Sequence, residues 1–211
     1  MSMATEQGYL LVVDDIPDIL RLLDATLKFK GYRVVTARDG EEALEAIQKE
    51  HPALVIADIL MPKIDGFNLV HRIRLNPKTR DIPVVFLSAT YISPEDKEFA
   101  VAIGVTRFIE KPVNLEEFLP MIENILEQGV KAPYEALSDY EFYDGYRKRL
   151  EAKLQQKITQ IARDQHLMDT LSESEKPTFE ATLQQAIRDR DEIQSLLVQI
   201  RERLEKLPKP K

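Results

Sequence analysis

Five short apolar runs alternate with helix-period segments between residues 9 and 128, and this alternation limits the possible folds more than any other feature. The runs are Tyr9–Val13, Tyr32–Thr36, Ala53–Ala57, Pro83–Leu87 and Val105–Ile109. Each is continuously apolar rather than alternating, the pattern of a strand covered on both faces. Between them, residues 17–30 repeat apolar groups at helical spacing through Ile19, Leu20, Leu23, Leu27 and Phe29. Pro17 suits a first helical turn, where its missing N–H costs nothing, and Gly31 suits the end of that helix. Further helices are expected at Gly40–Lys49, with Ala43, Leu44 and Ile47 inward, and at Phe67–Leu75, Pro94–Ala102 and Leu115–Gln128. Strand–helix repetition of this kind implies an α/β fold with a five-stranded, mostly parallel sheet and helices on both faces.

The period changes after residue 128. Gly129–Asp139 holds Gly, Pro, Ser and an isolated Tyr134 and reads as a linker. Phe142, Tyr146, Leu150, Leu154, Ile158 and Ile161 then fall three or four apart, with Met168 and Leu171 extending the stripe. Ser172–Pro177 interrupts it, and Phe179, Leu183, Ala186, Ile193, Leu197, Ile200, Leu204 and Leu207 resume with heptad-like spacing. Arg190 takes the polar seam position, so it must be paired, with Asp164 or Glu192, or lie at the bundle edge, or else mark a register. The expected division is residues 1–128, a linker at 129–139, and a two-helix, coiled-coil-like antiparallel hairpin at 140–211. A turn near Ser174 would set Ile161 beside Ala186–Arg190 and Leu154 beside Leu197. Phe142, Tyr146, Phe179 and Leu183 are expected to widen its exposed apolar surface, which favours a homodimer or docking on another surface.

Residues 1–128 carry 14 basic and 21 acidic side chains and residues 129–211 carry 15 of each, so the formal charge of −7 lies in the first part. Neither part has the positive field of a dedicated nucleic-acid binder, and Arg147-Lys148-Arg149 reads as a solvated helix face. With no cysteine, disulfides and thiolate metal sites are excluded. The start, MSMATEQGYLLVVDD, does not read as a signal peptide, and no apolar run is long enough for a membrane span. A cytoplasmic protein without membrane contact is expected.

Asp14 and Asp15 follow the first apolar run, Asp58 the third, Ser88 the fourth and Lys111 the fifth. Parallel strands place all five at one sheet edge, where open α/β folds build their sites. Three carboxylates gathered there repel one another unless a cation offsets them. Oxygen-rich clusters of this kind suit Mg²⁺. One carboxylate can then act as nucleophile toward a phosphoryl group whose oxygens meet the metal, a hydroxyl and a lysine.

With VVDD at 12–15, D-x-x-M-P and D-G within Asp58–Gly66, Ser88-Ala89 and Lys111-Pro112, residues 8–128 resemble the receiver domain of two-component response regulators. The resemblance implies a flavodoxin-like sheet in the order 2-1-3-4-5. It implies Asp58 as phosphoacceptor, with Mg²⁺ held by Asp14, Asp15, Asp58 and the carbonyl of Leu60. Ser88 and Lys111 would bind the phosphoryl group, Ser88 and Phe108 would form the switch, and Lys111-Pro112 would be cis. The phosphoryl donor would be a sensor histidine kinase or a phosphotransfer protein, and the helical tail would engage a downstream protein. The receiver would catalyse only its own phosphorylation and dephosphorylation. Other readings are a DNA-associated transcriptional regulator using Arg147–Arg149 and Arg188/Arg190, or a structural dimerisation protein with a degenerate receiver. His166 lacks the following acidic residue and proline of a phosphotransfer helix. His51 and His71 are expected at the surface, as is Glu110.

Overall fold

The computed structural model describes residues 8–88, 94–128, 136–168 and 176–209. It forms two compact units, Met1–Leu137 and Ser138–Lys211. In the first, strands β1 (Leu10–Val13), β2 (Val34–Ala37), β3 (Leu54–Asp58), β4 (Val84–Ser88) and β5 (Arg107–Glu110) alternate with helices α1 (Pro17–Phe29), α2 (Gly40–Lys49), α3 (Gly66–Leu75), α4 (Pro94–Ala102) and α5 (Leu115–Gln128). All strand pairs are parallel and the order is β2-β1-β3-β4-β5. The expected flavodoxin-like order is therefore observed.

Every strand starts one or two residues later than the apolar runs suggest, and all but β1 also end one residue later. Asp58 and Ser88 close β3 and β4 instead of following them, and they still pair in register with Leu87 and Glu110. The ladder depends on backbone groups, so a polar side chain at a strand's last position does not end it.

Strand alternation separates the two faces. Leu10, Val12, Leu54, Ile56, Val85 and Leu87 pack with Leu23 and Leu27 of α1 and Phe118, Ile122 and Ile125 of α5. On the other face Phe86 meets Phe67 of α3, edge to face at 5.2 Å, and Phe67 meets Phe99 of α4 at 5.4 Å. A fully buried side chain of this size contributes about 1.5–3 kcal/mol, so these layers fix the sheet firmly. Helix α3 is buried at seven of its ten positions, including His71, which the sequence placed at the surface. A helix buried this widely has neighbours on more than one side.

Asp39 caps α2, accepting from the backbone N–H groups of Glu41 and Glu42, and Asp65 caps α3 through Asn68. At the opposite edge of the sheet Arg74 is buried and donates to the carbonyls of Arg80, Ile82 and Gly104, tying together the turns that precede β4 and β5.

The second unit holds α6 (Asp139–Met168) and α7 (Lys176–Lys206). Ser138 opens α6 with a capping box: its hydroxyl accepts from Glu141 N–H and its own N–H donates to the Glu141 carboxylate at 2.9 Å. Cross-helix contacts link Tyr143 to Arg203, Glu151 to Arg201, Lys157 to Asp189, and Ile161 to Leu183 and Ala186. Partner numbers fall as α6 advances, so the helices are antiparallel. The turn near Ser174 and the stripe residue Leu171 lie outside the described residues.

Four details of the hairpin differ from expectation. Phe142, Tyr146 and Leu183 are buried rather than widening an exposed face. Arg149 is buried beneath Tyr146, its guanidinium 5.5 Å from the ring centre, whereas Ile158 is 39% exposed. The helix period explains both: seven residues return to within about 20° of the starting direction, so Arg149 shares the face of Phe142. Steps of four each drift by about 40°, and four of them carry Ile158 round to the other side. Arg190 is half-exposed, as the edge position requires, but its partner is neighbouring Asp191, not Asp164 or Glu192.

Candidate functional site

The carboxyl ends of β1 and β3 flank the point where strand order reverses, between these two neighbouring strands. Chain connections leave in opposite directions there and open a crevice, which is where such sheets bind ligands. Asp14 follows β1 and Asp58 ends β3, so both carboxylates border this crevice.

Both are withdrawn from water, with Asp14 at 0% exposure and Asp58 at 7%. One ammonium joins them. Lys111 Nζ lies 2.6 Å from Asp14 Oδ2 and 2.7 Å from Asp58 Oδ1. Backbone N–H groups bind the remaining oxygens: Ile16 N–H donates to Asp14 Oδ1 and Leu60 N–H to Asp58 Oδ2. Lys111 reaches the pair from just beyond β5, where its own N–H donates to the Ser88 carbonyl at 2.7 Å. The Lys111–Pro112 peptide is cis, as expected.

Opposing effects set the charges. Burial pushes the Asp58 carboxyl up from its ordinary value, and the bond and charge of Lys111 pull it down without fully offsetting that rise. Burial works against the Lys111 ammonium, but its bonds to Asp14 and Asp58 outweigh this and leave its pKa raised. Lys111 is thus a fixed cation, and Asp58 is a carboxylate whose anion is held by one lysine and one backbone N–H.

Of the other residues singled out in the sequence, Ser88 is buried at the end of β4. Phe108 is half-buried, its ring edge-to-face with Phe86 at 5.7 Å. Leu60 is exposed, and so are Asp15, Glu110 and His166. Ala89 lies outside the described residues. Among the described residues no three acidic or histidine side chains converge closely enough to form a metal cluster, and Asp15 is exposed. The donor chemistry nonetheless suits a hard cation, with two buried carboxylates and a loop carbonyl at one edge.

A second arrangement was not legible beforehand. The loop after Asp58 is tied to the start of α2: Gly40 N–H donates to the Ile64 carbonyl at 3.1 Å, and Lys63 pairs with Asp39 at 2.8 Å and Glu41 at 3.2 Å. A Cβ on Gly40 would lie 2.5 Å from that carbonyl, and one on Gly66 would lie 2.5 Å from the Asp58 carbonyl. These glycines permit backbones to meet. The Asp-Gly pair at 39–40 signals a cap in the sequence, but its partner across the crevice is visible only in the fold.

The model of the response regulator receiver domain matches residues 10–123. The chain belongs to the response regulator receiver family. The receiver is 37% identical over 123 residues to a probable transcriptional regulator, ycf27, of Porphyridium aerugineum, covering 58% of this chain and 50% of that protein. It is similar to a putative response regulator from Chloroflexus aurantiacus, 34% identical, covering 58% of this chain and 99% of that one, TM-score 0.54. It is also similar to the chemotaxis response regulator CheY4 of Vibrio cholerae, 35% identical, covering 56% and 98%, TM-score 0.53. The chain spans about half the length of the curated relatives it matches. The family match stops before α6 begins.

Removal of the shared cation gives a direct check on the receiver's charge balance. A folded-state carboxyl pKa above the unfolded value favours folding below the unfolded pKa, and that contribution is lost as pH rises through the folded value. Lys111→Met should therefore move the Asp58 titration further up, as read by the carboxyl carbon shift in NMR. At pH 7 the variant leaves two buried carboxylates without their cation and should cost about 3 kcal/mol in denaturant unfolding.

Proposed function

We propose that Asp58 accepts a phosphoryl group from a histidine kinase or phosphotransfer protein and that the helical tail passes the resulting state to a partner. The observation that carries this reading is the buried Asp14–Lys111–Asp58 triad at the crevice of a receiver fold. A carboxylate oxygen of Asp58 attacks the phosphorus, forming a P–O bond. The bond from phosphorus to the donor's imidazole nitrogen, or to the oxygen of a small acyl phosphate, breaks, and its electron pair leaves with the donor. Lys111, already charged and beside Asp58, stabilises the added negative charge, and Ser88 at the next strand end offers a hydroxyl donor.

Asp14, Asp15, Asp58 and the Leu60 carbonyl would hold Mg²⁺, which neutralises phosphoryl oxygens when bound. Phosphoryl capture draws on the same cation that joins Asp14 to Asp58. It thereby biases two states in which Ser88 and Phe108 differ in position. Phe108 rests on Phe86, which gives the site a packed route to β5 and its neighbouring helices.

For the tail, antiparallel pairing leaves Ile158 and Val198 exposed among polar residues, and its basic and acidic side chains balance. These features support protein contact, a homodimer foremost, over a nucleic-acid surface. The relatives named transcriptional regulators match through the receiver, so their naming is not carried to the tail. No described helix is long and apolar enough to cross a membrane, and a cytoplasmic setting fits such a signalling protein.

Incubation with acetyl phosphate and Mg²⁺ should add one phosphoryl mass to the intact protein, and Asp58→Asn should abolish it. Unchanged stoichiometry in that variant would falsify the assignment. Sedimentation of the full chain at micromolar concentration should show a dimer. Leu154→Asp with Leu197→Asp, which breaks the hairpin seam, should give a monomer still labelled at Asp58; a monomeric wild type contradicts the dimer.

A further inference from the structure

The backbone turns sharply three residues after Leu60. Lys63 has φ 61°, and among the described residues it alone of the non-glycines has a positive φ. The N–H of Ile64 donates to the carbonyl of Pro62 at 2.8 Å, an i to i+2 bond spanning Lys63. Together these define the positive-φ γ-turn, which is rare and strained. A side chain in this region clashes with its own backbone, so the conformation lasts only where the surroundings over-determine it.

Three contacts supply that constraint, and all come from the start of α2. Gly40 N–H holds the Ile64 carbonyl, and Lys63 Nζ reaches the carboxylates of Asp39 and Glu41. Asp39 is an anchor and not a loose surface acid. It is 4% exposed, and its Oδ1 is fixed by the N–H groups of Glu41 and Glu42, which leaves Oδ2 for Lys63. At the other end the loop is closed by Gly66 N–H to the Ile59 carbonyl and by Leu60 N–H to Asp58 Oδ2. The segment between Asp58 and α3 is therefore pinned at both ends.

We propose that the Lys63–Asp39 ion pair is a clamp that holds the strained turn, and through it the Leu60 carbonyl, in the position needed for divalent-cation binding beside Asp58. Lys63 and Asp39 are positioning residues in this account, which rests on the reading of Asp58 as an Mg²⁺-dependent phosphoacceptor. The clamp acts through backbone geometry. A distant charge on an ordinary loop would act through the electric field alone, and the two mechanisms differ in sign. By field alone, loss of the Lys63 cation strengthens Mg²⁺ binding and loss of the Asp39 anion weakens it. By the clamp, both losses weaken it.

The test is a Mg²⁺ titration of the full-length unphosphorylated protein, followed by the amide NMR shifts of residues 13–16 and 58–62. Lys63→Gln removes the charge and keeps all but one atom of the side-chain length. Asp39→Asn keeps the helix cap, since Asn caps as well as Asp. Each variant should weaken Mg²⁺ about tenfold, the scale seen when support for a ligand is removed. The double variant should be no weaker than either single one, because both remove the same contact. Lys63→Arg should restore wild-type affinity. Lys63→Gln binding Mg²⁺ as tightly as wild type or tighter overturns the clamp, as do additive losses in the double variant. A wild type whose spectrum does not respond to Mg²⁺ overturns the phosphoacceptor reading and the clamp together.

Discussion

One ammonium shared by two buried carboxylates is the constraint on which the rest of the receiver depends. Asp14, Asp58 and Lys111 arrive from the ends of β1, β3 and β5, and no two of them are close in sequence. Without the lysine, like charges would face each other in a site that excludes water, at a cost no short loop could offset. The sheet must therefore deliver three side chains to one point with little slack. Continuous apolar strands packed on both faces achieve this, because a slip of one residue would turn every core side chain the wrong way. The core serves as the ruler and the charged triad as the point it measures to.

Much of this arrangement was legible in the sequence because it follows from local rules. Continuous apolar runs give parallel strands, parallel strands share a carboxyl edge, and polar residues following those runs collect there. The strand ends were less legible. Asp58 and Ser88 look like loop residues by polarity, yet both continue the ladder, since backbone pairing does not depend on side-chain type. His71 was misjudged for a related reason: composition cannot show that α3 has neighbours on several sides. The tie between Lys63 and Asp39 spans 24 residues and two different loops, and neither residue stands out until the fold brings them together.

The tail shows where periodicity misleads. Its helices and antiparallel sense follow from spacing, and the pairing of Ile161 with Ala186 matches it. A run of four-residue steps is not a straight stripe, however. It winds round the helix, which takes Ile158 into water and leaves the buried face to Arg149, covered by Tyr146. Salt bridges between Glu151 and Arg201 and between Lys157 and Asp189 then fix the register at the flanks. Exposed pairs of this kind contribute little stability, about 0–1 kcal/mol each, so their value lies in specifying one alignment.

The central claim is that the carboxylate paired with Lys111 at the end of β3 is the one that forms an acyl phosphate. Borohydride reduces an aspartyl phosphate to homoserine and leaves a free aspartate untouched, which marks the modified position chemically in the unaltered protein. After incubation with acetyl phosphate, Mg²⁺ and then labelled borohydride, peptide sequencing should find homoserine at position 58. Label at Asp14 or Asp15, or none in a folded protein, would contradict the account.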